Sequence, residues 1–307
     1  MATLYTQKDS NIRKTLFLFA AFLIVVIGIG WVFAQIYGNP GILYVAVIFS
    51  VLMNVTAYWF SDKIVLKMSG AKPIEKKDAP ELYNIVENLA ITAGLPTPKI
   101  YIVSEEQANA FATGRNPEHA VVAVTQGLLR RLNKTELEGV LAHEMSHIGN
   151  RDMLVSTAVV VLVGFISILS DMFMRSMLWG GRRNDRGSGN AGGIIILVGI
   201  ALSILAPIAA ILMQLAISRR REFLADASGA LLTRYPEGLA NALVKISSDP
   251  TPMRRANSTT AHLWVDDPYD NPSNSQAKKE KTPWFHKLFM SHPPIEERIK
   301  ALRGMEL

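Results

Sequence analysis

The sequence predicts an α-helical membrane protein that carries an α+β domain outside the bilayer. Three observations lead there. Apolar residues gather into four blocks, each close to the ~20 residues a helix needs to cross a hydrocarbon core, although the chain as a whole is 49% hydrophobic with a mean hydropathy of +0.20. Two polar regions mix helical periodicity with short β-branched runs. The pattern H-E-x-x-H, spelled His143-Glu144-Met145-Ser146-His147, ends the first polar region just before an apolar block.

Composition narrows the chemistry. The 307 residues allow one large domain or two ordinary ones. The absence of cysteine excludes disulfides, thiolate catalysis and cysteine metal sites, and leaves the redox compartment open. The net charge of +6 sits largely beside the apolar blocks. It therefore reads as membrane anchoring, and no nucleic-acid partner is expected.

Residues 1–60 read as two membrane helices. The first runs from about Thr15 to Ala34, behind Lys8, Arg13 and Lys14. It exceeds a signal-peptide core and has no convincing cleavage site, so it is an uncleaved anchor. Tyr37 to Gly41 is a turn without charges. The second helix runs from about Ile42 to Phe60, with Lys63 and Lys67 beyond it. Residues 61–153 form the first part of the polar domain. Leu82, Ile85, Val86 and Leu89 recur at helical spacing after Pro80. Ile100 to Val103 reads as a strand, and Asn109–Thr113 with Ala120–Val124 as a hairpin across Gly114 to His119. Thr135 with Glu138 is a capping-box pattern at the head of the H-E-x-x-H helix, and Gly149 is its expected end.

Residues 154–218 form a second apolar pair, Leu154–Leu178 and Gly193–Ser218, joined by the polar linker Gly180–Gly189; Pro207 would bend the second member. This pair either crosses the bilayer or forms a hairpin that dips into it or packs against the soluble domain. Residues 219–307 complete the polar domain, with Asp266–Lys281 as a loop. An even number of spans separates the two polar regions, so they share a side in either case. Near the span ends that side carries Lys8, Arg13, Lys14, Lys63, Lys67, Arg151 and Arg219 to Arg221, against Arg175, Arg182, Arg183 and Arg186 opposite. The excess places both termini and the polar domain in the cytoplasm.

On a helix, positions four apart share a face, so His143 and His147 can hold one metal ion, expected to be one zinc per chain. Glu144 is then placed to act as general base on a water at the site. Glu222 and Asp226 also share a helical face. Glu222 is a candidate third ligand, since two His, one Glu and water form a catalytic zinc arrangement. Asp226 is a candidate to accept a hydrogen bond from a ligand imidazole and fix its tautomer. The alternative is an exposed carboxylate pair near Arg219 to Arg221. His147 precedes the third block and Glu222 follows the fourth, so the metal should lie near the membrane surface, and its substrates should be polypeptide emerging from the bilayer.

These motifs resemble a family. His143 to His147, Glu222 to Asp226, Asn109-Ala110-Phe111-Ala112-Thr113-Gly114, and Ser291-His292-Pro293-Pro294 with Arg298 are similar to the HtpX membrane zinc proteases, bacterial relatives of the prenyl-protein CAAX endopeptidases. The resemblance covers nearly the whole chain. It implies a zincin domain of gluzincin-like fold, and an endopeptidase of the bacterial inner membrane that cleaves misfolded or damaged membrane proteins from the cytoplasmic side under stress regulation. It also makes Asn109 and Ala110 candidates for substrate binding, because an edge strand there could add an extended peptide; an ordinary strand is the alternative. His292 and Arg298 become candidates to stabilise the oxyanion, against a structural His-Pro turn and an Arg paired with a buried carboxylate. His119, His262 and His286 read as surface or structural.

Three rivals remain: a non-catalytic membrane chaperone or adaptor with a structural metal, a transporter, and a prenyl-protein processing protease. An intact Glu144 argues against the first. The large polar regions, and spans without ionisable residues at their middles, argue against the second. CAAX-processing relatives tend to carry more spans, which argues against the third.

Overall fold

Apolar runs become long helices: α1 covers Leu4–Tyr37, starting well before the apolar run at Thr15 and taking in Lys8, Asp9, Arg13 and Lys14, and α2 covers Gly41–Trp59. The computed structural model describes residues 4–180, 219–254, 260–266, 268 and 293–305. The charge-free turn forms where expected, with Asn39 Oδ1 accepting from the Gly41 N–H at 2.9 Å. Asp9–Gln35 and Gly41–Trp59 are long and apolar enough to cross a membrane. They leave Leu16, Phe17, Ile24, Tyr44, Val45 and Ile48 exposed, a surface suited to lipid and unsuited to water. The third apolar block lies in α7, Asp152–Gly180, whose first half packs on α1 and α2 through Val155, Val159 and Leu162 against Leu18, Phe22 and Ala57. The fourth block, most of the Gly180–Gly189 linker and nearly all of the expected 266–281 loop lie outside the described residues.

The polar domain opens with two elements that carry no clear sequence signal, the helix α3 (Ser61–Ser69) and the strand β1 (Ala71–Pro73). The remaining early elements fall where periodicity puts them. α4 spans Pro80–Ala93 and buries Leu82, Ile85, Val86 and Leu89. β2 is Lys99–Val103, β3 Ala110–Thr113 and β4 Val121–Thr125. They form a four-stranded sheet in the order β1-β2-β4-β3, with β2 and β4 parallel and the other pairs antiparallel. β3 is thus an edge strand. The turn before β4 reaches the membrane helices: the Arg115 guanidinium stacks 4.8 Å from the Trp59 ring at the end of α2.

After the short helix α5 (Gln126–Arg131), the motif helix α6 spans Lys134–Gly149. Its capping box lies two residues before the expected one. Asn133, extended at φ −77° and ψ 174°, accepts from the Glu136 N–H, and the Glu136 carboxylate accepts from the Asn133 N–H. Thr135 is already helical and its hydroxyl donates to Asn133 Oδ1. The end of α6 also differs in detail. Gly149 is its last residue, but the left-handed position is Arg151, at φ 56°. There the chain turns by 82° into α7. A non-glycine residue in that region costs about 1–3 kcal/mol, which the surrounding contacts must offset.

Among the described residues, three further α-helices follow: α8 (Arg219–Thr233), α9 (Pro236–Ser247) and α10 (Ile295–Arg303). α8 crosses α6 at very close range. A Cβ on Gly229 would stand 2.9 Å from the His143 backbone N, and one on Gly139 would stand 2.6 Å from the Leu239 backbone N of α9. Only glycine permits both approaches. One apolar cluster joins α4, the sheet, α6, α9 and α10, through Leu89, Val122, Leu141, Met145, Leu243 and Leu302. α6 is therefore held on several sides, and this rigidity positions the His and Glu side chains of its last two turns.

Candidate metal centre

Helical spacing places His143 and His147 on the α6 face that meets α8, one turn apart. Their Nε2 atoms lie 3.1 Å from one another. Glu222, in the first turn of α8, brings Oε2 to 3.7 Å from His143 Nε2 and Oε1 to 3.6 Å from His147 Nε2. Donor atoms in a tetrahedral site with ligand distances of ~2.0–2.1 Å stand roughly 3.3 Å apart, so these separations suit one small cation. Among the described residues this is the group of His and carboxylate side chains placed to hold a metal.

The carboxylates beside the two imidazoles point the same way. His143 Nδ1 lies 2.9 Å from Asp226 Oδ1, and His147 Nδ1 lies 3.1 Å from Asp152 Oδ2. A carboxylate beside each Nδ1 keeps the proton there and leaves the Nε2 lone pair bare. Two bare lone pairs and a carboxylate facing one another repel unless a positive charge lies between them. The field at His147 fits this arrangement. Burial works to lower its pKa, but the Asp152 hydrogen bond and the charges of Glu222, Asp152 and Glu144 push it up to about 9.

Asp226 has its own support. Arg298 on α10 donates from Nε to Asp226 Oδ2 at 2.8 Å and from Nη2 to Oδ1 at 2.7 Å, a two-point clamp. Burial raises the Asp226 pKa, but the Arg298 charge and hydrogen bonds, with those of His143, hold it well below the usual carboxylate range. Arg298 is 0% exposed, its Nη1 donates to Val265 O at 3.2 Å and stands 4.0 Å from Glu222 Oε2. The expectation that Arg298 contacts an oxyanion does not fit this placement, because its donors are turned to Asp226 and Val265 behind the ligands. It matches the stated alternative, an Arg paired with a buried carboxylate. His292, the other oxyanion candidate, lies outside the described residues.

Glu144 lines the same pocket as His143, His147 and Glu222. The other wall is β3. Asn109 just before it, and residues 111 and 113 within it, turn their backbone groups to β4, while 110 and 112 turn outward. At Asn109 and Ala110 that edge is already taken. Ala110 O accepts from the Val265 N–H at 3.0 Å, Asn109 Nδ2 donates to Asp266 O at 2.8 Å, and the Asp266 N–H donates to Asn109 Oδ1 at 3.2 Å. Trp264 fixes this segment by stacking edge-on against Phe111 at 4.7 Å. Substrate contact at Asn109 and Ala110 is therefore replaced by contact within the chain, and Ala112 is the outward-facing edge residue that lines the pocket.

Asp152 and His262 line the pocket without having been read as site residues from the sequence. Asp152 stands five positions after His147, a spacing that faces away on an unbroken helix; the turn at Arg151 brings it back. Of the two readings for His262, surface or structural, its burial favours the second. It lines the pocket, its Nε2 3.4 Å from Ser156 O of α7. A Thr-Ala-His-Leu-Trp run at 260–264 was the available signal. His119 is on an exposed 3-10 turn beside Asn116, and His286 lies outside the described residues.

A test of the ligand set follows. Glu222→Ala is expected to lower bound metal well below one per chain, measured by elemental analysis of purified protein. Asp226→Ala should keep full stoichiometry at saturating metal but bind about 10- to 100-fold more weakly. Unchanged metal content and turnover in Glu222→Ala would exclude Glu222 as a ligand.

Comparison with known proteins extends the picture. Residues 76–306 match Peptidase family M48. A Protease HtpX homolog from Caldanaerobacter subterraneus subsp. tengcongensis is 45% identical over 309 residues, covering 99% of each chain. Another from Tropheryma whipplei is 43% identical over 302 residues, covering 98% of each. The crystal structure of S. mikatae Ste24p aligns with a TM-score of 0.50 at 20% identity, over 94% of this chain and 65% of that one, a likeness of fold. The family match takes in both polar regions and the relatives take in the apolar helices too, so the chain belongs to peptidase family M48, as a membrane metalloprotease akin to the HtpX proteases.

Proposed function

We propose that this metalloprotease is a zinc endopeptidase that cleaves misfolded or damaged membrane proteins at the cytoplasmic face of the bacterial inner membrane. Two imidazoles and one carboxylate, in a chain without cysteine, are a donor set suited to zinc. Zinc bound there would supply Lewis acidity towards the scissile carbonyl and the attacking water. The remaining steps fall to the chain. Glu144 accepts a proton from the attacking water and delivers it to the leaving amine. The outward N–H and C=O of Ala112 hold an extended substrate strand where the β3 edge lines the pocket. Asp226 and Asp152 keep the two imidazoles in their ligating tautomers.

One observation carries the membrane-protein reading. Asp152, bonded to His147, is the first residue of apolar α7 and also accepts a hydrogen bond from Asn11 at the head of α1. The pocket is thus level with the point where two apolar helices begin, and a chain leaving the bilayer meets it first. Lys63, Lys67, Arg151 and Arg219 to Arg221 near this level support the cytoplasmic side.

The test uses zinc-loaded protein in liposomes with a helical membrane protein in intact and destabilised forms. The destabilised form should be cut and the intact form spared, with a farnesylated CAAX peptide left whole. Cleavage of a soluble unfolded protein alone would sink the membrane-protein reading. A reporter that works only in the cytoplasm should be active when fused after Leu307; an externally accessible fusion would overturn the orientation.

A further inference from the structure

Asn11 is an anomaly in α1. It stands at the head of an apolar helix, yet it is fully buried and polar. A buried amide is costly unless it is bonded. Its Nδ2 donates to Asp152 Oδ1 at 2.6 Å and to Asn150 O at 3.0 Å, both in the turn that joins α6 to α7. The other oxygen of Asp152 faces His147 Nδ1. A short chain of contacts therefore runs from the first membrane helix, through one carboxylate, to an imidazole of the metal centre.

Asp152 also has a competing partner. Arg221 Nε, one residue before Glu222, stands 3.8 Å from the same Oδ1. Without the Asn11 amide, the carboxylate is free to rotate towards that guanidinium, and the His147 Nδ1 contact is lost with the rotation. An amide fits this task better than a charged group, since it holds Oδ1 by a donor without drawing the whole carboxylate away.

We infer that Asn11 is a positioning residue of the metal centre: α1 acts as a strut that orients Asp152 and, through it, His147, besides anchoring the chain. The inference rests on the metal reading above, and its readout is metal affinity, not proteolysis.

The experiment uses the full chain in detergent, in the Glu144→Gln background so that no self-cleavage intrudes. Zinc dissociation constants are measured by competition with a chromophoric chelator. Asn11→Asp keeps the side-chain volume and sets a second carboxylate against Asp152. It should weaken zinc binding about 10-fold or more, the lower end of what loss of a ligand's hydrogen-bond partner costs. The exchange Asn11→Asp with Asp152→Asn restores one carboxylate and one amide across the contact and should recover most of that loss. Thr15→Val, one turn further along α1, removes a hydroxyl that bonds only to Asn11 O in its own helix and should change nothing. Wild-type affinity in Asn11→Asp would overturn the inference. So would an exchange no better than Asn11→Asp alone, which would mean general damage to α1 packing. Should Asn11→Asp fail to fold, Asn11→Leu decides. A several-fold loss that disappears in an Asp152→Asn background supports the strut, and an unchanged affinity excludes it. A parent protein that binds no zinc would sink the metal reading itself, whereas a parent with one zinc and an indifferent Asn11 would sink the strut alone.

Discussion

Glu144→Gln should retain its metal and lose proteolysis. The change preserves volume, which matters at a side chain only 2% exposed on a helix packed from several sides. It removes the one function an amide cannot perform, acceptance of a proton. General acid–base groups contribute about 10²–10⁴-fold to rate, so kcat should fall by at least that range while KM changes little. The measurement pairs turnover of an unfolded protein with elemental analysis. Full activity with verified metal would exclude Glu144 as the base and require another acceptor in the pocket.

The largest effect on stability is expected at Arg298. Its guanidinium clamps Asp226 with two short hydrogen bonds in a fully buried setting. Removing one member of such a pair costs about 3–5 kcal/mol, because the other charge is left buried without compensation. Arg298→Met should therefore lower the apparent Tm in detergent by many degrees. Arg298→Lys should not restore it, since an ammonium cannot make the paired fork. Arg298→Met with Asp226→Asn removes both charges and should regain much of the stability. It should still bind metal weakly, because an amide fixes the His143 tautomer less firmly. If Arg298→Met alone melts like the parent protein, the clamp contributes nothing and the assignment of Arg298 to support is wrong.

Much of this architecture is legible in the sequence because its signals are local. Leu82, Ile85, Val86 and Leu89 all point inward in α4. The β3–β4 hairpin follows its two apolar runs, and the positions placed to hold one cation, His143, His147 and Glu222, stand in two short helical motifs. What escaped depends on events between elements. The capping box could start at Asn133 or Thr135 by spacing alone, and the extended backbone of Asn133 decides. Asp152 is invisible while α6 and α7 are read as helices without the left-handed turn between them. Arg298 could not be told from an oxyanion donor, because its role depends on α10 docking beside Asp226. The occupied edge at Asn109 and Ala110 depends on a segment more than a hundred residues away.

The spread of these residues along the chain sets an order in time. His143 and His147 leave the ribosome well before Glu222, the apolar residues 154–218 are made between them, and Arg298 comes later than all of them. Until Arg298 has been translated, Asp226 is a buried charge without its clamp and His143 is poorly held. A fragment that ends before α10 would likewise carry the H-E-x-x-H motif without the clamp on Asp226, so its metal binding is expected to be weaker than that of the full chain.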